Sequence, residues 1–334
     1  MSDTTGTGTN HTIMDAVDRL TRARAEISSR IVGHGRLIDE LFVCLLCRGH
    51  ALIEGAPGLG KTYLIKTFGN VLALSTTRIQ FTPDLMPADI VGTNVLIRDE
   101  TGDQVIRFQK GPLFSQIVLA DEINRATPKT QSAMLEAMQE QAITYAGTTY
   151  PLSHPFIVLA TQNPIEMEGT YPLPEAQLDR FFFKISVGYP SAEELLAIVD
   201  RTTGPVPSAV GHILDGAQIA AFQELVRAIV VARPIAEYAV RLVTATHPGL
   251  PGALEIVRRA VRYGSSPRGA QGLVLAAKAF ALMEGREHAG FEDIRRAALP
   301  VLRHRLIPSF QGEAEGVDPD TIVSAVVDAV AEVE

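Results

Sequence analysis

The sequence predicts an α/β domain built on a central parallel sheet, followed by a second domain made of helices. Three observations carry that expectation. Apolar strand-like runs alternate with helix-like runs between residues 51 and 190, the pattern of a parallel sheet covered by helices on both faces. The first strand-like run, Ala51 to Glu54, is joined to its helix by G-x-x-x-x-G-K-T at residues 55–62. After Pro190 the strand signals fade, and helix-like runs separated by Gly and Pro fill residues 191–334.

Taken in order, residues 1–12 (MSDTTGTGTNHT) read as a short flexible tail. Residues 13–29 carry apolar positions at helical spacing, and 31–49 form a second helix after a Gly-containing turn. The strand, the glycine loop and a helix-compatible run (YLIKTFGNVLAL) follow. TTRIQFT (76–82) has strand character, and 83–93, with two prolines, reads as a loop. Residues 94–114 look like two short strands around Thr101-Gly102-Asp103, hence a hairpin. The run 117–120 (IVLA) suits a strand covered on both faces and ends in Asp121 and Glu122. Residues 127–141 form a helix with Thr127 or Asn124 as N-cap, and 142–152 a second hairpin turning at Ala146-Gly147. PFIVLATQNP (155–164) is another buried strand, and FFFKISVGYP (181–190) the last. The αβα domain therefore spans 13–190 and the all-helical one 191–334.

Composition is that of a globular protein with a sizeable core. Apolar residues make up 46% and charged residues 20% of the 334. No run of 18 uncharged apolar residues occurs, so no membrane span is expected. The N-terminus lacks the basic start and apolar core of a signal peptide. Net charge is −8, with 16 basic against 20 acidic residues over 1–190 and 14 against 18 over 191–334. Neither half advertises the basic face of a nucleic-acid binder. The two cysteines, Cys44 and Cys47, lie in an apolar helix-like run and read as small hydrophobes. No second C-x-x-C or His pair is present to complete a zinc site. These features point to the cytoplasm.

The glycine loop is the Walker A phosphate loop. Gly55, Ala56, Pro57, Gly58, Leu59 and Gly60, with Lys61, Thr62 and Tyr63, are the candidate nucleotide-binding segment. Glycines let successive N–H groups turn inward onto phosphate oxygens, and the helix start adds its positive dipole end. Lys61 would reach the β- and γ-phosphates of ATP, and Thr62 would offer its hydroxyl to Mg²⁺. Asp121 fits the Walker B carboxylate of the Mg²⁺ shell, and Glu122 the base that polarises the attacking water. Asn163, at the end of the next buried strand, either orients that water or starts a turn before Pro164. Arg180 either pairs with Asp179 or Glu175, or acts as an arginine finger on a neighbouring subunit's γ-phosphate. Arg268, at a helix start in GSSPRGAQG, either closes the second domain onto bound phosphate or is a solvated cap residue.

These stretches together resemble the MoxR family of AAA+ ATPases. The resemblance rests on EGAPGLGKT (54–62), RIQFTPDLMPADIVGT (78–93), FQKGPLF (108–114), LADEINRATPKTQSAMLEAMQEQ (119–141), ATQNPIEMEGTYPLPEAQLDRFFFK (160–184), SPRG (266–269) and VLRHRL (301–306). It is dense over the ATPase core and sparse over the helical domain. It implies an AAA+ αβα core with a helical lid, assembled as a ring, usually a hexamer, with ATP between subunits. Asn163 then matches sensor 1, Arg180 the arginine finger and Arg268 sensor 2. Ile31, Val32 and Gly33 match a segment near the adenine. His34 stands where family members commonly have Gln. The hairpins match the helix-2 insert (94–108) and the pre-sensor-1 insert (142–152), and Arg125 and Lys129 match the subunit interface. The implied function is chaperone-like remodelling or maturation of protein complexes. This sometimes involves metal-cofactor insertion, and often a partner bearing a von Willebrand factor A domain.

Two other motors use the same machinery. Minichromosome-maintenance helicases share both hairpin inserts, and a DNA motor wants Lys or Arg at their tips. Here the tips read Asp99-Glu100-Thr101-Gly102-Asp103 and Ala146-Gly147-Thr148, acidic and neutral. That favours a protein client over DNA. A metal-chelatase motor subunit is the third reading. Tyr145 and Tyr150, flanking the second tip, either grip a polypeptide or pack within the sheet.

Overall fold

The computed structural model describes residues 5–98, 100, 103–163, 169–204 and 211–332. Residues 1–4 of the expected tail, and Asp99, Thr101 and Gly102 of the first hairpin tip, lie outside them. The first half runs α1 (Thr5–Arg30), α2 (Gly35–Leu46), β1 (Ala51–Glu54), α3 (Lys61–Val71), β2 (Thr76–Gln80), α4 (Pro87–Val91), β3 (Gly92–Arg98), β4 (Gln104–Lys110), β5 (Ile117–Asp121) and α5 (Pro128–Glu140). It continues through β6 (Ala142–Tyr145), β7 (Thr148–Pro151), β8 (Ile157–Gln162), α6 (Glu175–Leu178) and β9 (Phe183–Ser186). The second half is α7 (Ala192–Thr203), α8 (Gly216–Ala228), α9 (Arg233–Ala245), α10 (Glu255–Ala260), β10 (Val261–Tyr263), α11 (Pro267–Met283), α12 (Phe291–Leu302), β11 (Ile307–Pro308), α13 (Phe310–Ala314) and α14 (Pro319–Ala329).

Several elements depart from expectation. Residues 83–93, expected as a loop, contain the short helix α4 (Pro87–Val91), where Pro87 fits the first helical position because its missing N–H would have no partner there. Residues 5–12, expected as tail, extend the helix predicted for 13–29. Once a helix is nucleated, each added residue fixes one backbone unit and gains one hydrogen bond, so elongation is cheap. Within the second half, expected as all-helical, the run ALEIVRRAVRYG (253–264) is helical only to Ala260, and Val261–Tyr263 pairs antiparallel with Ile307–Pro308. A β-branched and an aromatic residue there suit a strand better than a helix end.

The main sheet has the order β2-β5-β8-β1-β9, with every pair parallel. Its three inner strands, β5, β8 and β1, are apolar on both faces because both faces are covered. Ile53, Ile117, Leu119, Ile157 and Leu159 join one buried cluster; Leu52, Val118, Ala120, Val158 and Ala160 join the other. That strict alternation is the two-residue period of a strand. The first cluster also takes in α1, α2 and α3 and runs on without a break into Leu214, Phe222, Leu273, Phe280 and Ile294 of the second half. The two halves thus share one core on that face. Cys44 and Cys47 are buried there as free thiols, and burial pushes both thiols' pKa up.

The two hairpins leave the sheet and pack on each other. In the second, Ala146 and Gly147 have φ of 48° and 79°, the positive pair a type I′ turn needs. Phe108 of β4 stacks on Tyr150 at 4.4 Å and lies 5.2 Å from Tyr145. The Tyr145 hydroxyl is 3.3 Å from that of Thr93. Both tyrosines therefore serve packing between hairpins.

Candidate active site

Sheet order decides which side chains meet. β8 lies between β1 and β5, so the chain leaving β8 emerges between the loop after β1 and the carboxylates ending β5. Asn163, only 6% exposed, is the residue at that exit. Ligands of parallel α/β sheets gather at this carboxyl edge.

In the loop after β1, Gly58 and Gly60 have φ of 83° and 74°. A Cβ on either would meet nothing within 4 Å, so glycine is needed for its backbone and not for space. Gly60 starts α3 directly, which leaves that helix's first N–H groups facing the loop. The Lys61 ammonium donates to the carbonyls of Gly55 at 2.6 Å and Ala56 at 3.0 Å, across the mouth of the loop. Burial lowers its pKa, and Asp121 and Glu122 pull it back up. Thr62 follows, half-buried in the first turn of α3.

The two carboxylates are held by groups from both neighbouring strands. Thr161 of β8 donates its hydroxyl to Asp121 Oδ1 at 2.6 Å and accepts the Glu122 N–H at 2.9 Å. Arg78 of β2 donates to Asp121 Oδ2 at 2.6 and 3.0 Å. Gln80 and Arg125 donate to Glu122 Oε2 at 2.9 and 3.0 Å. Oε1 of Glu122 has no such bond among the described residues. Glu122 itself has φ 57° and ψ 50°, a left-handed conformation that costs a non-glycine residue on the order of 1 kcal/mol and is typical of functional positions. Arg125, expected at a subunit interface, is engaged with Glu122 here. Lys129 lines an apolar groove of about 690 Å³ beside the second hairpin.

Next to the loop is a cavity of about 490 Å³, the size of a small-ligand site. Ile31, Val32, Pro57, Gly58, Leu59, Gly60 and Tyr63 line it, with Tyr189, Leu195, Ile198 and Arg201 closing it from the far side. The His34 ring lies 3.2 Å from the Leu59 carbonyl and joins the lining. Gly33, with φ 78°, faces the Glu194 carboxylate, which a Cβ would strike at 2.5 Å. Apolar walls beside a phosphate loop suit a purine ring.

Arg180 and Arg268 are elsewhere. Both line a separate cavity of about 310 Å³ with Gly49, His50, Gln139 and Arg305. The expected pairing of Arg180 with Asp179 or Glu175 does not form. Asp179 instead takes Arg305 at 3.0 Å, Ser266 at 3.0 Å and Arg268 at 3.5 Å. Arg180 is exposed and enters no ion pair among the described residues. Nor does Arg268 face the nucleotide-sized cavity, as closure of its own domain onto phosphate would require. Sequence reading missed Thr161, Arg78, Gln80 and Arg305, and gave Asp179 the wrong arginine as partner. Only the alternation of Arg78 and Gln80 along β2, and the polar Thr161 inside an apolar run, gave a signal.

A five-stranded parallel sheet in this order, a phosphate loop at the end of one central strand, paired carboxylates two strands away and a packed helical region define an AAA-type ATPase with its lid. Residues 50–183 match the ATPase family associated with various cellular activities (AAA), and residues 253–326 match the AAA lid domain. The chain is 42% identical over 315 residues to the chaperone MoxR1 of Mycobacterium tuberculosis, covering 94% of this chain and 82% of that one. It is 31% identical over 331 residues to the protein MoxR of Paracoccus denitrificans, covering 94% and 96%. A Cytophaga hutchinsonii crystal structure, described as that of a candidate ATPase, superposes with a TM-score of 0.90 at 37% identity over 96% of this chain and 97% of that one. The chain belongs to the MoxR family of AAA+ ATPases. None of its described helices is long and apolar enough to cross a membrane.

Proposed function

We propose that the chain hydrolyses ATP with Mg²⁺ at a site shared between copies of itself in a ring, and that it spends the hydrolysis on remodelling or maturing a protein complex. One observation carries the shared site. Lys61, Asp121, Glu122 and Asn163 gather at one sheet edge, while Arg180 and Arg268 line a different cavity. Two cations on another face fit a neighbour's phosphates.

The residues present suit both ligands. Loop N–H groups and Lys61 would hold the phosphates, and Ile31, Val32 and Tyr63 the base. Thr62 and Asp121 would hold Mg²⁺; hydroxyl and carboxylate are its hard-oxygen donors, and it binds through one or two carboxylates plus phosphate. Bound there, the ion supplies charge neutralisation at the phosphates. Glu122 serves as base through Oε1, the oxygen left open by Gln80 and Arg125, and Asn163 fixes the water beside it. The relative from Mycobacterium tuberculosis is named a chaperone, which supports a protein client, as does the acidic Glu100 and Asp103 pair at the hairpin tip. A von Willebrand factor A domain partner and metal-cofactor insertion follow from the family resemblance alone.

Glu122→Gln and Lys61→Ala test the reading together. Lys61→Ala should lose ATP binding. Glu122→Gln should bind ATP while turnover falls on the order of 10²–10⁴-fold, the contribution of a positioned base. Full turnover in Glu122→Gln would remove it as the base. Captured from its own cells with ATP, the Glu122→Gln protein should bring down a von Willebrand factor A domain partner. Strong stimulation of ATPase activity by single-stranded DNA would instead favour a DNA motor.

A further inference from the structure

The stretch VLRHRL (301–306) belongs to neither the loop nor the carboxylates, yet it grips the segment carrying Arg180. Arg305, in the turn just after α12, is only 7% exposed. Its guanidinium donates through Nε to Asp179 Oδ1 at 3.0 Å. It donates through Nη2 to the carbonyls of Asp179 at 3.2 Å and Phe181 at 2.7 Å, and through Nη1 to the carbonyl of Phe182 at 3.3 Å. It also bonds the Val301 carbonyl in the last turn of α12. Four of these five bonds fall on residues immediately before or just after Arg180. His304 adds a bond to the Phe181 carbonyl at 3.0 Å. Arg180 itself points out of this framework, exposed.

The carboxylate at the centre serves a second cation. Asp179 accepts the Ser266 hydroxyl at 3.0 Å on each oxygen and Arg268 at 3.5 Å on Oδ2. Ser266 caps α11 by accepting the Arg268 N–H. One carboxylate thus ties the backbone around Arg180, the start of α11 and the end of α12 into a single unit. A rigid guanidinium fork can satisfy several backbone carbonyls at fixed angles; an ammonium cannot. Burial lowers the Arg305 pKa to about 10, with Asp179 opposing, so the group stays charged at neutral pH.

We infer that Arg305 is a positioning residue for hydrolysis in trans: with Asp179 it fixes the backbone on both sides of Arg180 and the helix start bearing Arg268, so that the lid sets how both arginines are presented to the neighbouring subunit. This rests on the reading of Arg180 as an arginine finger. A group displaced by about 1 Å from its productive position can cost on the order of 10²-fold in rate, so the clamp is worth a measurable fraction of the finger's effect.

Mixed assemblies give the test. A subunit hydrolyses at its own loop and donates Arg180 to its neighbour. Lys61→Ala subunits cannot hydrolyse but can donate; Arg180→Ala subunits can hydrolyse when served by a neighbour but cannot donate. Arg305→Lys should behave as a donor-defective subunit. Alone it should lose about 10- to 100-fold in kcat with nucleotide affinity unchanged. Mixed with Lys61→Ala it should regain turnover; mixed with Arg180→Ala it should not. Full turnover of Arg305→Lys alone overturns the inference. So does failure of Lys61→Ala to rescue it where the same partner rescues Arg180→Ala, since a general structural defect would spoil both roles. If Arg180→Ala keeps full turnover, the finger reading fails first, whatever Arg305→Lys does. Where Arg305→Lys loses its cooperative melting transition, Asp179→Asn is compared in the same mixtures. It keeps the side-chain shape and an oxygen for Ser266, and undiminished donation by it overturns the clamp equally.

Discussion

Thr161 shows how much of the site is made by side chains that do no chemistry. Its hydroxyl gives its proton to Asp121 and its lone pair to the Glu122 N–H, so one small group orients two adjacent carboxylates across the strand boundary. Thr161→Val keeps the shape and removes both bonds. Loss of such an outer partner of a metal-binding carboxylate costs about 10–100-fold in activity, and that is the expected fall in kcat, with Thr161→Ser close to the parent. Steady-state ATPase kinetics on the two variants decide it; a wild-type rate in Thr161→Val would leave the hydroxyl without a role in positioning. Lys61, Thr62, Asp121 and Glu122 could be read from the sequence because short covalent spacing or a strand end fixes them. Thr161, Arg78 and Gln80 could not, because they meet the carboxylates only through the β5–β8 and β2–β5 registers. Asp179 makes the same point in reverse. Its sequence neighbour Arg180 was the obvious partner, whereas its real partners are 89 and 126 positions away.

At the scale of elements, the hairpins were visible from their turn residues, and their mutual packing was not. Turn signals are local, whereas the Phe108–Tyr150 stack joins residues from separate strands that the sequence gives no reason to pair. Stacked aromatic pairs add about 0.5–1.5 kcal/mol beyond the area they bury. Phe108 touches Tyr145, Tyr150 and Phe114, so Phe108→Ala should release the second hairpin from the first. Amide hydrogen exchange in 142–151 should speed up, while exchange in β1, β5 and β8 and nucleotide affinity stay as they were. Unchanged protection in 142–151 would mean that the hairpins are held by something other than this cluster. The aromatic cluster joins the two hairpins to each other.

For the whole molecule, the change of composition at Pro190 suggested two separate units, but burial ignores it. Apolar residues on both sides of that point complete one cluster around α2 and α11. Two histidines are enclosed in this body without charge. His50 accepts the Val158 N–H at 2.9 Å and donates to the Met138 carbonyl at 3.1 Å, and burial lowers its pKa to about 4. His304 is pushed well down as well, by burial first and then by Arg305. In the unfolded chain each would titrate near 6.5. As pH falls below about 6.5 the unfolded chain gains protons that the folded one refuses, so stability is full above that pH and drains away toward the folded value. For His50 the gap is worth roughly 3 kcal/mol by pH 4. Urea denaturation at a series of pH values should show the midpoint dropping below about pH 6.5. His50→Gln, which can still donate to Met138 and accept from Val158 but cannot titrate, should flatten that drop without abolishing it, since His304 remains. Parallel pH profiles for the two proteins would show that His50 takes up its proton in the folded state as readily as in the unfolded one.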